Sequence, residues 1–178
     1  MPKDYCLSIL YNKNMKRVLF VIVACLSLCS FTPVPNPEVV AGSFEALDGK
    51  SANLEVVFKK IHGRTEAEFA EYEKDWKVDR PEIENLILTE ANKALKGKCR
   101  LRDSKDEDLT VSLVVRSVGV KGDYDFYIVL LDKDKKELGT ISNLFGKGGM
   151  FGTKLNLIKD GAKSTGKKMG TLLKQYMD

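Results

Sequence analysis

The chain has 178 residues, 43% of them hydrophobic, enough for one domain with a core and unlike a disordered or fibrous chain. Its formal charge of +4 is concentrated at the start: Lys3, Lys13, Lys16 and Arg17 face Asp4 alone in the first thirty residues, leaving +1 for the rest. A body so close to neutral lacks the cationic footprint that drives nucleic-acid binding through counterion release, so no nucleic-acid partner is expected.

Lys16 and Arg17 precede Val18 to Phe31, a run of fourteen uncharged, mostly apolar residues that ends in the proline-rich TPVPNPE. A helix needs about 20 apolar residues to cross a bilayer, so the run reads as a secretory leader over 1–30. Met15 directly before the basic pair is a second candidate start. Cleavage after Ser30 would release a soluble chain. Alternatively, Ile22-Val23-Ala24-Cys25 resembles the lipobox of bacterial lipoproteins, in which the cysteine is acylated and becomes the amino terminus. The competing reading leaves Cys25 as one more apolar residue of the leader. Only Cys99 survives cleavage, which excludes an internal disulfide, and its strand-like surroundings without a nearby histidine suit a packed side chain better than a nucleophile.

Residues 31–50 are rich in Pro, Gly and Ser and read as a flexible tether to a single domain over 51–178. Leu54, Val56 and Phe58 alternate with Glu55, Val57 and Lys59, the period of a strand with one buried face. Thr65 and Glu68 then form a capping box, and Phe69, Tyr72 and Trp76 follow at helical spacing as a core-facing aromatic stripe. His62 is the only histidine, and no second metal ligand lies close to it in the sequence.

Asp79 and Pro81 look like the start of a second helix whose buried face is Ile83, Leu86, Ile87, Ala91, Ala94 and Leu95, with Gly97 as the stop. A short edge strand over Lys98 to Arg102 precedes three strand-like runs, Leu109 to Val118, Tyr124 to Leu131 and Leu138 to Phe145. Their short connections require an antiparallel meander. Asp132 and Asp134 hint at a calcium loop, but Lys136 and Glu137 stand where an oxygen ligand and the turn glycine belong.

The loop GKGGMFG, comprising Gly146, Lys147, Gly148, Gly149, Met150, Phe151 and Gly152, joins the last strand to a helix, the place where backbone amides cradle phosphates. Phe151 occupies the third glycine position of a dinucleotide fingerprint, and the antiparallel context is wrong for one. Met150 and Phe151 serve either as buried anchors or as an exposed apolar tip. GAKSTGKK, Gly161 to Lys168, imitates a P-loop but has Lys168 in place of the magnesium-binding hydroxyl residue.

Thr153 to Met177 reads instead as a helix, with Lys159, Lys163 and Lys167 as an i, i+4 ladder. Gly166 and Gly170 are expected to lie against the sheet, since each glycine costs a helix about 1 kcal/mol relative to alanine and close packing would offset it. Phe145 to Asp178 holds seven lysines and two aspartates. That basic end reads either as a solvated face or as a surface for anionic lipid, polysaccharide or an acidic partner.

From Asn53 to Met177 the order of parts, with EFAEYEKDWKVDRPEI, the GKGGMFG loop and DGAKSTGKKMGTLL, resembles small secreted or lipid-anchored α/β domains of bacterial cell envelopes, some attached to outer-membrane assembly machinery. The resemblance implies a two-layer α+β fold and an exported, periplasmic or outer-membrane-associated setting, with no reaction attached. The expected fold is a mainly antiparallel sheet of four or five strands with helices on one face and a long C-terminal helix. The expected function is a non-enzymatic binding or assembly module without cofactor or metal, its partner an envelope protein, a lipid surface or a glycan. The alternative is small-ligand binding, of phosphate or glycan, or catalysis at loop 146–152.

Overall fold

The computed structural model describes residues 38–177; the leader, Cys25 and the proline-rich stretch after them lie outside the described residues. The fold is α+β. A sheet of six strands runs in the order β1 (Val39–Gly42), β6 (Glu137–Gly146), β5 (Tyr124–Leu131), β4 (Thr110–Val118), β2 (Ser51–Phe58), β3 (Arg100–Arg102). Three helices accompany it: α1 (Glu66–Tyr72), α2 (Trp76–Leu95) and α3 (Lys154–Tyr176).

The meander β4-β5-β6 is antiparallel, as its short turns dictate. The sheet as a whole is mixed and larger than expected. β2 runs parallel to both β3 and β4, because α1 and α2 provide the long crossover that a parallel neighbour requires. The sixth strand comes from the supposed tether. Val39 to Gly42 pairs antiparallel with β6, and Phe44 and Leu47 just after it are fully buried. Only the composition of this stretch resembled a linker, and two apolar anchors sufficed to fold its second half onto the domain.

Along β5, Tyr124, Phe126, Ile128 and Leu130 are fully buried and the residues between them are partly exposed, so one sheet face meets the helices and the other meets solvent. Helix α1 begins with the capping box at Thr65, whose hydroxyl accepts from the Glu68 amide at 3.3 Å while Glu68 accepts from the Thr65 amide at 2.8 Å. It ends at Tyr72, and Trp76 opens α2, so the aromatic stripe is split between two helices. Phe69 and Trp76 do enter the core, edge to face with each other at 5.2 Å, whereas Tyr72 is 53% exposed. The second helix therefore starts before Asp79 and carries Pro81 inside it. Glu66 joins the two helices by accepting from Trp76 Nε1 at 3.3 Å and pairing with Arg80.

Gly166 and Gly170 contact α2 rather than the sheet. A Cβ at Gly166 would lie 2.4 Å from the Ile87 carbonyl oxygen, and one at Gly170 would lie 2.3 Å from that of Ala91. The sheet contact falls one turn earlier, where a Cβ at Gly161 would lie 1.9 Å from the Gly122 carbonyl oxygen and 2.7 Å from the Tyr124 ring. Tyr124 donates its buried hydroxyl to the Ile158 carbonyl at 3.2 Å. Helix α3 is thus fixed to the start of β5 and to α2, which sets the position of the glycine loop at its amino end.

Candidate functional site

The ends of β2, β4 and β6 and the start of β5 lie at one end of the sheet, as the pairings of Phe58 with Val115, Val118 with Tyr124 and Tyr124 with Gly146 require. Three connecting segments emerge there: 59–65, 119–123 and 147–153. The base of the glycine loop is locked. A Cβ at Gly146 would lie 2.1 Å from Thr165 Oγ1, and one at Gly148 would lie 1.9 Å from the Lys121 carbonyl oxygen, so the loop backbone lies directly on α3 and on the β4–β5 turn.

The loop amides face inward. Lys147 donates its amide to Ser164 Oγ at 3.0 Å, and Gly148 donates to Asp123 Oδ1 at 2.9 Å. Gly149 sits against the Asp160 carboxylate, and Gly152 adopts a φ of 130° as the chain turns into α3. The Thr153 hydroxyl caps that helix by accepting from the Asn156 amide at 3.3 Å. An anion approaching the Lys147 and Gly148 amides would find them occupied by Ser164 and the Asp123 carboxylate. Above this base, Met150 is 79% and Phe151 86% exposed. Between the two alternatives, buried anchors or exposed tip, the geometry decides for the tip.

The three ladder lysines do not converge on the loop. Lys159 bridges α3 to α2 through Asp79 Oδ1 and Glu82 Oε2, both at 2.8 Å, and these hydrogen bonds raise its pKa. Lys163 pairs with Asp160 on its own helix at 3.1 Å. Lys167 lies farther along, beside a groove of about 430 Å³ lined with Glu90, Lys93, Lys96, Thr171 and Lys174.

Sequence reasoning missed a cluster at the same end of the sheet. Arg64 stacks over the Tyr72 ring at 4.3 Å, and Lys154, in the first turn of α3, sits 4.6 Å from the same ring and donates to its hydroxyl at 3.0 Å. That ammonium, first by its hydrogen bond and then by its charge, lowers the Tyr72 pKa. His62, held at a φ of 50°, packs edge to face on Phe69 at 5.4 Å. Burial, then the Lys154 charge, depresses its pKa. Val120, in the turn against which Gly148 packs, is 72% exposed. The spacing of Tyr72 resembled a core stripe, and nothing in the sequence placed Arg64 or Val120 at the same end of the sheet as residue 150.

A groove of about 340 Å³ between α2 and β3 includes Asn92, whose amide group brackets Leu101 with two hydrogen bonds of 2.9 Å. Among the described residues, no three His, Cys, Asp or Glu side chains gather to hold a metal, and no helix is long and apolar enough to cross a membrane.

No family model matches the sequence, and no curated protein does. Solved structures with a related chain course include the PelC dodecamer from Paraburkholderia phytofirmans, at 15% identity and a TM-score of 0.44. A leucine-to-methionine variant of it, in another crystal form, gives 16% and 0.44. Each alignment covers 78% of this chain and 98% of the other. The likeness is distant and carries no functional inference.

Proposed function

We propose that this chain is a non-enzymatic binding or assembly module of a bacterial cell envelope, exported by its leader, with Cys25 as the point of acylation if the leader is cut before it. The observation that carries the reading is the pair Met150 and Phe151. Two large apolar side chains stand 79% and 86% exposed at the apex of a loop whose base is held by Ser164, Asp123 and Thr165. Exposing such a pair on a rigid mount is unfavourable in water, and docking removes the penalty.

Phosphate or glycan binding at the same loop is the competing reading. It finds less support, because the Lys147 and Gly148 amides already have partners and leave no amide cradle at the loop base. A photoreactive phenylalanine analogue at position 151 of the full chain tests the proposal in cells. Adducts with an envelope component are expected from position 151 and not from position 133, in the turn at the opposite end of the sheet. Equal yields at both positions, or turnover of an envelope substrate abolished by one polar substitution, would sink it.

A further inference from the structure

The same end of the molecule carries a charge pattern that names its partner. Segments 59–65, 119–123 and 147–154 contain Lys59, Lys60, Arg64, Lys121, Lys147 and Lys154, all exposed. The one carboxylate in those segments, Asp123, accepts from the Gly148 amide, and Asp160, against Gly149, pairs with Lys163 on its own helix. At the opposite end, connections 43–50, 96–99, 103–109 and 132–136 hold eight carboxylates and seven lysines, which nearly cancel. In a body that is nearly neutral in total, the three segments at the tip's end are therefore strongly cationic.

Resting on the reading of loop 146–152 as a docking element, we infer that this end binds an anionic lipid surface. Met150 and Phe151, with Val120 of the β4–β5 turn against which Gly148 packs, enter the boundary between headgroups and acyl chains, while the lysines of the three segments and Arg64 meet lipid phosphates. A lipid surface fits better than a protein for two reasons. Two consecutive side chains at a loop apex form a narrow wedge, far from the roughly 800 Å² per partner of a specific protein interface. The cations come from three separate segments and most are long, flexible lysines; a fluid array of anionic headgroups accommodates any such spacing, which a fixed protein epitope does not.

The test uses the full chain with Phe151→Trp, a substitution at a site open to solvent. Trp76 is 1% exposed and serves as an internal unquenched reference. Phosphatidylcholine vesicles are compared with vesicles that also contain phosphatidylglycerol, both with brominated acyl chains. The expected result is a blue shift and quenching of the position-151 emission on the anionic vesicles alone, reversed at 1 M salt, where screening acts within about 3 Å. Lys121→Gln and Lys147→Gln should each weaken binding about fivefold, and Lys133→Gln should leave it unchanged.

Absence of quenching on anionic vesicles overturns the lipid assignment. If position 151 then still cross-links to an envelope protein in cells, the docking reading stands with a protein partner. If it neither quenches nor cross-links, both fall. Quenching that ignores phosphatidylglycerol and salt also overturns the assignment, because the cations would then be bystanders.

Discussion

Thr165 illustrates how one side chain can be held in place at a disadvantage. It is fully buried on α3, and its hydroxyl has no hydrogen-bond partner, because the Gly146 backbone presses directly against it. An unsatisfied buried hydroxyl costs on the order of 1–3 kcal/mol. Thr165→Val keeps the shape and removes the polar atom, so it should raise the unfolding free energy by about 1 kcal/mol in urea titration. Gly146→Ala should lower it by about 1–3 kcal/mol through the clash with the same oxygen.

His62 gives the pH dependence. Its folded-state pKa lies below the ordinary value, chiefly through burial. The unfolded chain therefore binds the proton more readily, and stability falls as pH drops below about 6.5, until the folded form titrates too. His62→Asn, which tolerates the positive φ, should flatten that part of the stability profile in thermal melts from pH 7 to pH 5. Cys99 behaves oppositely in reactivity. Burial, with Asp48 nearby, pushes its thiol up to about 11, so alkylation at pH 8 should proceed only as fast as the domain opens.

At the scale of elements, α3 is the piece most exposed to substitution. Its glycines bring its backbone against the Ile87 and Ala91 carbonyls, and no Cβ fits there without separating the helices. Gly166→Ala and Gly170→Ala should each destabilise by about 2 kcal/mol, despite a helix-propensity gain of about 1 kcal/mol, while Lys163→Ala on the exposed face should stay within about 0.5 kcal/mol. The unfavourable glycines revealed a close approach in the sequence; the surface approached was not legible, because periodicity marks a buried face without naming its neighbour. The capping box at Thr65 and the antiparallel meander were legible from local chemistry and turn length. The start of α2 was not. Pro81 resembled a first-turn residue, yet the first turn forms around Asp75, whose carbonyl accepts from Val78 at 3.0 Å and Asp79 at 2.9 Å. Strand β1 was hidden by proline-rich neighbours, although Phe44 and Leu47 were visible as apolar residues with nowhere to go in a free tether.

For the whole molecule, the parallel pairing of β2 with β3 and β4 depends on contacts between residues some fifty positions apart, and no local pattern records them. The candidate site was half legible for the same reason. Loop 146–152 was conspicuous as a glycine-rich strand-to-helix joint, but its cationic surround is assembled from three distant segments. The ladder lysines that looked functional are neutralised by carboxylates or lie away from the tip, while Arg64, Lys121 and Lys154, inconspicuous in sequence, lie at the tip's end of the sheet. The fold thus separates the basic residues of α3, held in pairs or away from the tip, from the cations at the tip's end of the sheet.

The central claim is that the tip is covered in the cell. Met150 reports on it directly, since it stands open to solvent while Met169 and Met177 are buried inside the domain. Peroxide converts exposed methionine to the sulfoxide, and peptide mass spectrometry reads each site separately. Met150 of the full chain should oxidise several-fold more slowly in envelope preparations than in purified protein, with Met169 and Met177 slow in both. Equal Met150 rates in the two preparations would contradict it.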